Sequence, residues 1–310
     1  MNISQLKVRY QAGALAKPDF IRECYERHRT LFDYAEVVRS TDVNEIRIAR
    51  DGVSFVIGEE AICLHCPPDE ARVAPLEVMN FGRYEPEETN VMDMLVSEAR
   101  HILDVGANIG WYSIRFAKRL PEARIYAFEP MPESHAYLQR NVAANSMGER
   151  VTTFNYGLSD RSGSVEFFIS PSSGENASLR NVADANDAKP VVGLTLTLDQ
   201  WTANHGVVPD FIKCDVEGAE LLVFRGGRNT LFRHRPVVFS EMLRKWSKPF
   251  GYHPNDMIRF FTELGYLCFG VGAAGVRRID EVTDETAETN YVFVHAQAHV
   301  HQVAVLAGVK

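Results

Sequence analysis

The residues Asp104, Gly106, Asn108 and Gly110 follow one another at two-residue spacing in DVGANIG. A glycine-containing turn between a strand and a helix lets a ligand approach the backbone closely. Two nucleotide-like cofactors use that layout, and their charges differ. A dinucleotide brings a pyrophosphate to a G-x-G-x-x-G turn, and this stretch contains no such pattern. A pyrophosphate would also be repelled by the acid at Asp104. S-adenosylmethionine carries a sulfonium and an ammonium, which a carboxylate attracts. Asp104 therefore favours the methyl donor, or else caps the following helix. Asn108 stands where the acid-x-Gly-x-Gly-x-Gly pattern has its middle glycine.

Further chemistry-bearing residues fall where strands should end. Glu129, in YAFEP, can accept two ribose hydroxyls at once, a feature both cofactor classes would use. Gly157, Leu158 and Ser159 would meet an adenine edge, though a plain turn before DRSG accounts for them almost as well. FIKCDVEGAE places Lys213, Asp215 and Glu217 together, and strand alternation puts Lys213 and Asp215 on one face. Glu241 closes the next strand. These acids read as one cluster, with Asp215 as proton acceptor or substrate orienter, Glu217 and Glu241 in support, and Lys213 paired to an acid or to a sugar oxygen. The competing reading is a salt-bridged scaffold. Three acids also raise Mg²⁺, but nothing fixes an octahedral set, so no metal is predicted. Tyr84 and Glu85 in YEPEE either close over the donor or begin a helix. His253 and the tail histidines His295, His299 and His301 are weaker candidates.

Alternating strand and helix patterns must position these groups. HILDV, RIYAFEP, VTTFNYGLS, PDFIKCD and PVVFSEM read as strands. The helices between them are GWYSIRFAKRL, PESHAYLQRNVAANS and VEGAELLVFRGGRNTLFRH, with one before HILDV from about Glu85 to Glu98. That rhythm implies a parallel sheet with helices on both faces and a ligand at the carboxyl ends of its strands. YLCFGV and YVFVHA close the sheet as a pair. SVEFFIS and VVGLTLT are extra β-like runs, and the polar segment between them, Pro171 to Pro190, is either a lid or disordered. Before all this, KPDFIRECYERHRTLFDYAEVVRS is helical, EIRIARDGVSFVIG is a hairpin, and AICLHC is a third strand.

Bulk properties narrow the class. The chain has 310 residues and a formal net charge of −8, which disfavours a nucleic-acid backbone as partner. No window approaches the length of a membrane span, and no signal peptide is read at the start, so a cytoplasmic protein is expected. The cysteines number five, an odd count that reads as reduced thiols. CLHC lacks the second pair a tetrahedral zinc site needs, so Cys63 and Cys66 read as structural.

The ordered series YEPEE, ILDVGANIGWYS, YAFEPMPESHAYLQRN, YGLSDRSGSVEFF, LTLDQW and FIKCDVEGAELLVFRGG resembles the FkbM-type S-adenosylmethionine-dependent methyltransferases, over roughly Phe81 to Met242. The resemblance implies an α/β, class I (Rossmann-like) methyltransferase fold, with a seven-stranded, mostly parallel sheet and its last strand antiparallel. It implies O-methylation of a sugar hydroxyl, in a polysaccharide or glycosylated metabolite, or of a related secondary-metabolite alcohol. S-adenosyl-L-homocysteine would be the product. Residues 81–300 would form that domain. Residues 1–80 would be a small α+β addition that packs on it, caps the substrate or joins a second copy into a homo-oligomer, and residues 301–310 a tail. The remaining alternatives are an NAD-dependent oxidoreductase and a non-catalytic scaffold or partner subunit.

Overall fold

The computed structural model describes residues 1–68, 70–170, 175–180 and 188–308. Two helices, α1 (Ile3–Gln11) and α2 (Lys17–Ser40), precede an antiparallel sheet of β1 (Val43–Ala49), β2 (Gly52–Ile57) and β3 (Ile62–His65). Helices α3 (Ala74–Phe81) and α4 (Pro86–Leu95) lead into β4 (His101–Val105), α5 (Trp111–Arg119), β5 (Arg124–Phe128), α6 (Pro132–Ala144) and β6 (Val151–Phe154). A second small sheet comprises β7 (Gly157–Leu158), β8 (Gly163–Ser170), β9 (Glu175–Ser178) and β10 (Lys189–Leu196). The chain continues through α7 (Leu198–His205), β11 (Phe211–Cys214), α8 (Glu220–Arg225), α9 (Arg228–His234), β12 (Val237–Glu241), α10 (Arg244–Ser247) and α11 (Pro254–Glu263). It closes with β13 (Tyr266–Gly272), β14 (Gly275–Arg278), β15 (Asn290–His295) and α12 (Val300–Gly308).

The main sheet has the order β14-β13-β15-β12-β11-β4-β5-β6. Its centre, from β12 to β6, is parallel, and β15 runs antiparallel to both β12 and β13. This is the expected class I arrangement, extended to eight strands because β14 folds back on β13. The apolar strand runs follow from burial on both faces. In β4, Ile102 joins the core under α5 and α6, while Leu103 and Val105 join the core on the opposite face with Trp201 and Phe224.

Three expectations change. VTTFNYGLS is not one strand: Gly157–Leu158 leaves the main sheet and pairs with β10. The Asn155 amide group draws the intervening chain aside by donating to the carbonyls of Glu129 and Pro130, at 3.0 and 3.1 Å. The helix after IKCD breaks at Gly226–Gly227, where a Cβ on Gly226 would stand 2.1 Å from the Ser159 carbonyl oxygen. The expected tail is largely helix α12, which buries Leu306 completely.

The N-terminal sheet is joined to the main sheet by packing and by hydrogen bonds. Phe55, Ile57, Ile62 and Leu64 lie in the same apolar cluster as Ile114 and Phe116 of α5. The open edge of β3 would strand its backbone groups. Two buried asparagines one turn apart, Asn141 on α6 and Asn145 capping its end, fill that edge. Asn145 accepts from Cys63 N at 2.9 Å and donates to its carbonyl at 2.7 Å. Asn141 accepts from His65 N at 2.7 Å and donates to its carbonyl at 3.3 Å. At the other end of the sheet, Arg115 bridges Glu60 (2.9 Å) and Asp93 (2.6 Å). All five cysteines are free thiols. No described helix is long and apolar enough to cross a membrane.

Candidate functional site

The strands β4, β5 and β11 end side by side, so the residues just beyond them share one edge. Gly106 N and Ala107 N both donate to the Phe128 carbonyl at 3.0 Å, and Asp215 N donates to the Val105 carbonyl at 3.0 Å. At Gly106 the turn after β4 has no room for a side chain. Gly106 has φ +81°, and a Cβ there would lie 1.8 Å from the Asp215 carbonyl oxygen. Asn108 also takes a left-handed conformation, φ 48°, which asparagine tolerates better than most residues.

A cavity of about 500 Å³ opens at this edge, within the size range of small-molecule sites. Nine sequence-predicted residues line it: Tyr84, Gly106, Asn108, Glu129, Gly157, Leu158, Lys213, Asp215 and Glu217. Five others lie off its lining. Asp104 is fully buried beneath it, Gly110 packs towards Leu138, and Glu85 begins α4. Ser159 is buried, its hydroxyl donating to Asp160 at 3.3 Å. Glu241 ends β12.

Glu129 is 7% exposed. Its Oε2 accepts from Asn108 N at 3.0 Å and its Oε1 from Met131 N at 2.9 Å. Burial raises its pKa to about 7, against the pull of those two amides. Each oxygen keeps a lone pair for a ligand hydroxyl.

Lys213 is the electrostatic centre. Its ammonium is buried, 3.3 Å from Asp215 Oδ2, 3.8 Å from Asp104 Oδ1 and 3.3 Å from the Gly106 carbonyl. It also stands 5.5 Å from the centroid of the Tyr112 ring. Burial by itself would lower its pKa, but Asp215, Asp104 and Glu85 together raise it, so the cation is held. Asp104 Oδ2 accepts from the Ser113 hydroxyl at 2.6 Å. Its carboxyl is raised by burial, with Lys213 opposing. Asp104 is thus joined to the site through Lys213 and Ser113. Glu85, in a left-handed conformation at the start of α4, accepts from the Tyr112 hydroxyl at 2.5 Å. Burial raises it to about 7.

The acids after β11 and β12 act on one another. The Glu241 carboxyl is pushed far up, first by burial and then by Asp215, Glu217, Glu220 and Glu85. No group of three or more His, Cys, Asp or Glu side chains among the described residues is placed to hold a metal ion. Glu220, not singled out from sequence, shapes the acidic turn by accepting from Val216 N and Gly218 N at 3.0 and 3.1 Å.

Other lining residues were missed. Pro67, Glu70, Arg72 and Ala74 reach the cavity from before the main domain, and Trp111 and Tyr112 from α5. Phe167, Ser178, Leu179 and Val191 come from the small sheet and its connections. Alternation in SVEFFIS puts Val165 and Phe167 on one face, but no local pattern tells which sheet a strand joins. The Ser178 hydroxyl donates to the Glu217 carbonyl at 2.8 Å and so ties β9 to the acidic turn. Of the expected lid, residues 171–174 and 181–187 lie outside the described residues.

Residues 104–268 match the family described as the methyltransferase FkbM domain. The 2-O-methyltransferase NoeI of Sinorhizobium fredii is 31% identical over 154 residues, covering 45% of this chain and 62% of that protein. The hexuronic acid methyltransferase AglP of Haloferax volcanii is 30% identical over 180 residues, covering 57% of this chain and 68% of that protein. A crystal structure of a methyltransferase FkbM from Methylobacillus flagellatus superposes with a TM-score of 0.41 at 17% identity, over 63% of this chain and 43% of that one. The chain thus spans about three-fifths of the length of NoeI.

Proposed function

This chain belongs to the FkbM methyltransferase family, and from that premise we propose that it is an S-adenosylmethionine-dependent O-methyltransferase. Its acceptor is a hydroxyl of a sugar or of a related small-molecule alcohol. One observation carries the reading: a single cavity brings together the Glu129 carboxylate, the Gly106 turn and the Lys213–Asp215 pair. The residues present suit the donor. Glu129, anchored by two backbone amides, offers a lone pair per oxygen to a ribose diol. Leu158, Phe167 and Met131 offer apolar surface to a purine. Asp215 and Glu217 supply negative charge for a cationic centre. No G-x-G-x-x-G turn is present for a pyrophosphate, which leaves the oxidoreductase alternative without support.

When bound, the donor supplies an electrophilic methyl group on sulfur. The chain's own contribution is alignment and proton transfer. Asp215 accepts the proton of the acceptor hydroxyl, and Lys213 holds its carboxylate in place. Glu241, whose carboxyl burial and acidic neighbours push well up, supports Asp215 from beside the cavity, and Glu217 completes the polar wall. General-base assistance contributes about 10²–10⁴-fold, and alignment adds to it. The names of NoeI and AglP support a sugar acceptor. Residues 81–300 are the catalytic unit in this reading. Residues 1–80 contribute Glu70 and Arg72 to the cavity rim and offer the surface on which a second copy associates. Calorimetric titration with S-adenosylhomocysteine is the direct test: saturable binding is expected, and no heat of binding from folded protein would sink the reading.

A further inference from the structure

The longest helix, α2, takes no part in the cavity. None of its residues is buried. Phe20, Glu23, Cys24, Arg27 and Val38, on one side, are partly covered. A neighbouring face, about 100° around the helix, carries Ile21, Tyr25, His28, Phe32, Ala35 and Arg39, all exposed. Their spacing alternates four and three residues, the seam of a coiled coil. The apolar members are open to water: Phe32 is 73% exposed, Tyr25 56% and Ile21 55%. Exposed apolar side chains gathered along one face of a helix in this way mark an interaction surface.

We propose that this stripe pairs with the same stripe of a second copy of the chain, as an antiparallel two-stranded coiled coil about a two-fold axis at Thr30. The inference rests on the association through the N-terminal region stated above and specifies its surface and register. With the axis at Thr30, Tyr25 of one copy lies over the small Ala35 of the other, and His28 lies beside Phe32. Arg22 and Glu36, each one residue after a seam position, then face each other across the interface twice. Among the described residues Arg22 is held by an exposed pair with Asp19, which costs little to exchange. Arg29 of the two copies meets near the axis, where Glu26 and Asp33 of its own helix stand about one turn away. A parallel pairing fits worse. It would stack Phe32 on Phe32 and His28 on His28, set Arg22 against Lys17, and leave Glu36 opposite Leu31.

Sedimentation velocity on the full chain at micromolar concentration tests this. The wild type should be a dimer. Arg22→Glu and Glu36→Arg should each weaken it by about tenfold or more, and the double variant R22E/E36R should restore it. Circular dichroism and S-adenosylhomocysteine titration of each variant should match wild type, which separates lost pairing from lost folding. A monomeric wild type overturns both the pairing and the association it rests on, and leaves another protein as the occupant of the stripe. A dimer indifferent to the single charge reversals overturns the helix pairing alone and moves the interface elsewhere.

Discussion

In the proposed function Glu129 and Asp215 divide the labour of the site, and their environments differ accordingly. Glu129 is enclosed and fixed by two amides, so burial dominates and its pKa rises to about 7. A ribose diol is best received by the ionised form, so affinity for S-adenosylhomocysteine should fall as pH drops below about 7. Glu129→Gln should weaken binding by about 10- to 100-fold, the worth of hydrogen bonds to a charged group, and should flatten that pH dependence. A retained pH slope in the variant would assign the titration elsewhere, with Glu85 the next candidate. Asp215 is more open, with 38% of its side chain exposed, and is tethered by Lys213. Asp215→Ala should reduce turnover by about 10²-fold or more while leaving S-adenosylhomocysteine affinity close to wild type. Equal losses in both would make Asp215 a donor ligand instead of a proton acceptor. These residues were legible because strand-end acids and a glycine turn have fixed spacing. That Asp104 sits under the cavity floor was not, since a strand-end acid can point into the site or beneath it with the same sequence.

At the scale of elements, the junction between α6 and β3 carries a load that its sequence hides. Asn141 satisfies both backbone groups of His65 and also donates to the Ile109 carbonyl in the donor turn at 2.9 Å. Asn141→Ala would leave those groups unpaired in a buried place, at about 1–3 kcal/mol each. Urea unfolding should therefore show a lower midpoint with an unchanged slope, and an unchanged midpoint would mean water replaces the amide. The helices and strands of the main domain were readable from periodicity and capping. The split of VTTFNYGLS and the break at Gly226–Gly227 were not, because a local pattern does not say where another chain segment presses close. The small sheet shows the same limit: its strands alternate clearly, yet its pairing partner β7 is only two residues long.

Across the whole molecule, several enclosed carboxyls set how stability depends on pH. Glu85, Glu129 and Glu220 are all raised from 4.5 to about 7, in each case chiefly by burial. A carboxyl with a raised folded-state pKa stabilises the fold fully below its unfolded value and loses that contribution as pH rises through the folded one. The ligand-free protein should then have a higher thermal midpoint near pH 5 than near pH 8, and scanning calorimetry across that window reads it directly. A midpoint that stays level across that window would mean these groups ionise as they do in the unfolded chain. By itself, the sequence determined the alternating architecture, the family resemblance and the identity of the acids, because each depends on short-range spacing and residue chemistry. Only the tertiary structure decided which of those acids reach the cavity. It alone brought Glu70, Arg72, Phe167 and Ser178 to the cavity wall and showed that α2 turns an apolar stripe to water. Those outcomes depend on contacts between segments far apart in the chain, and no local pattern encodes them.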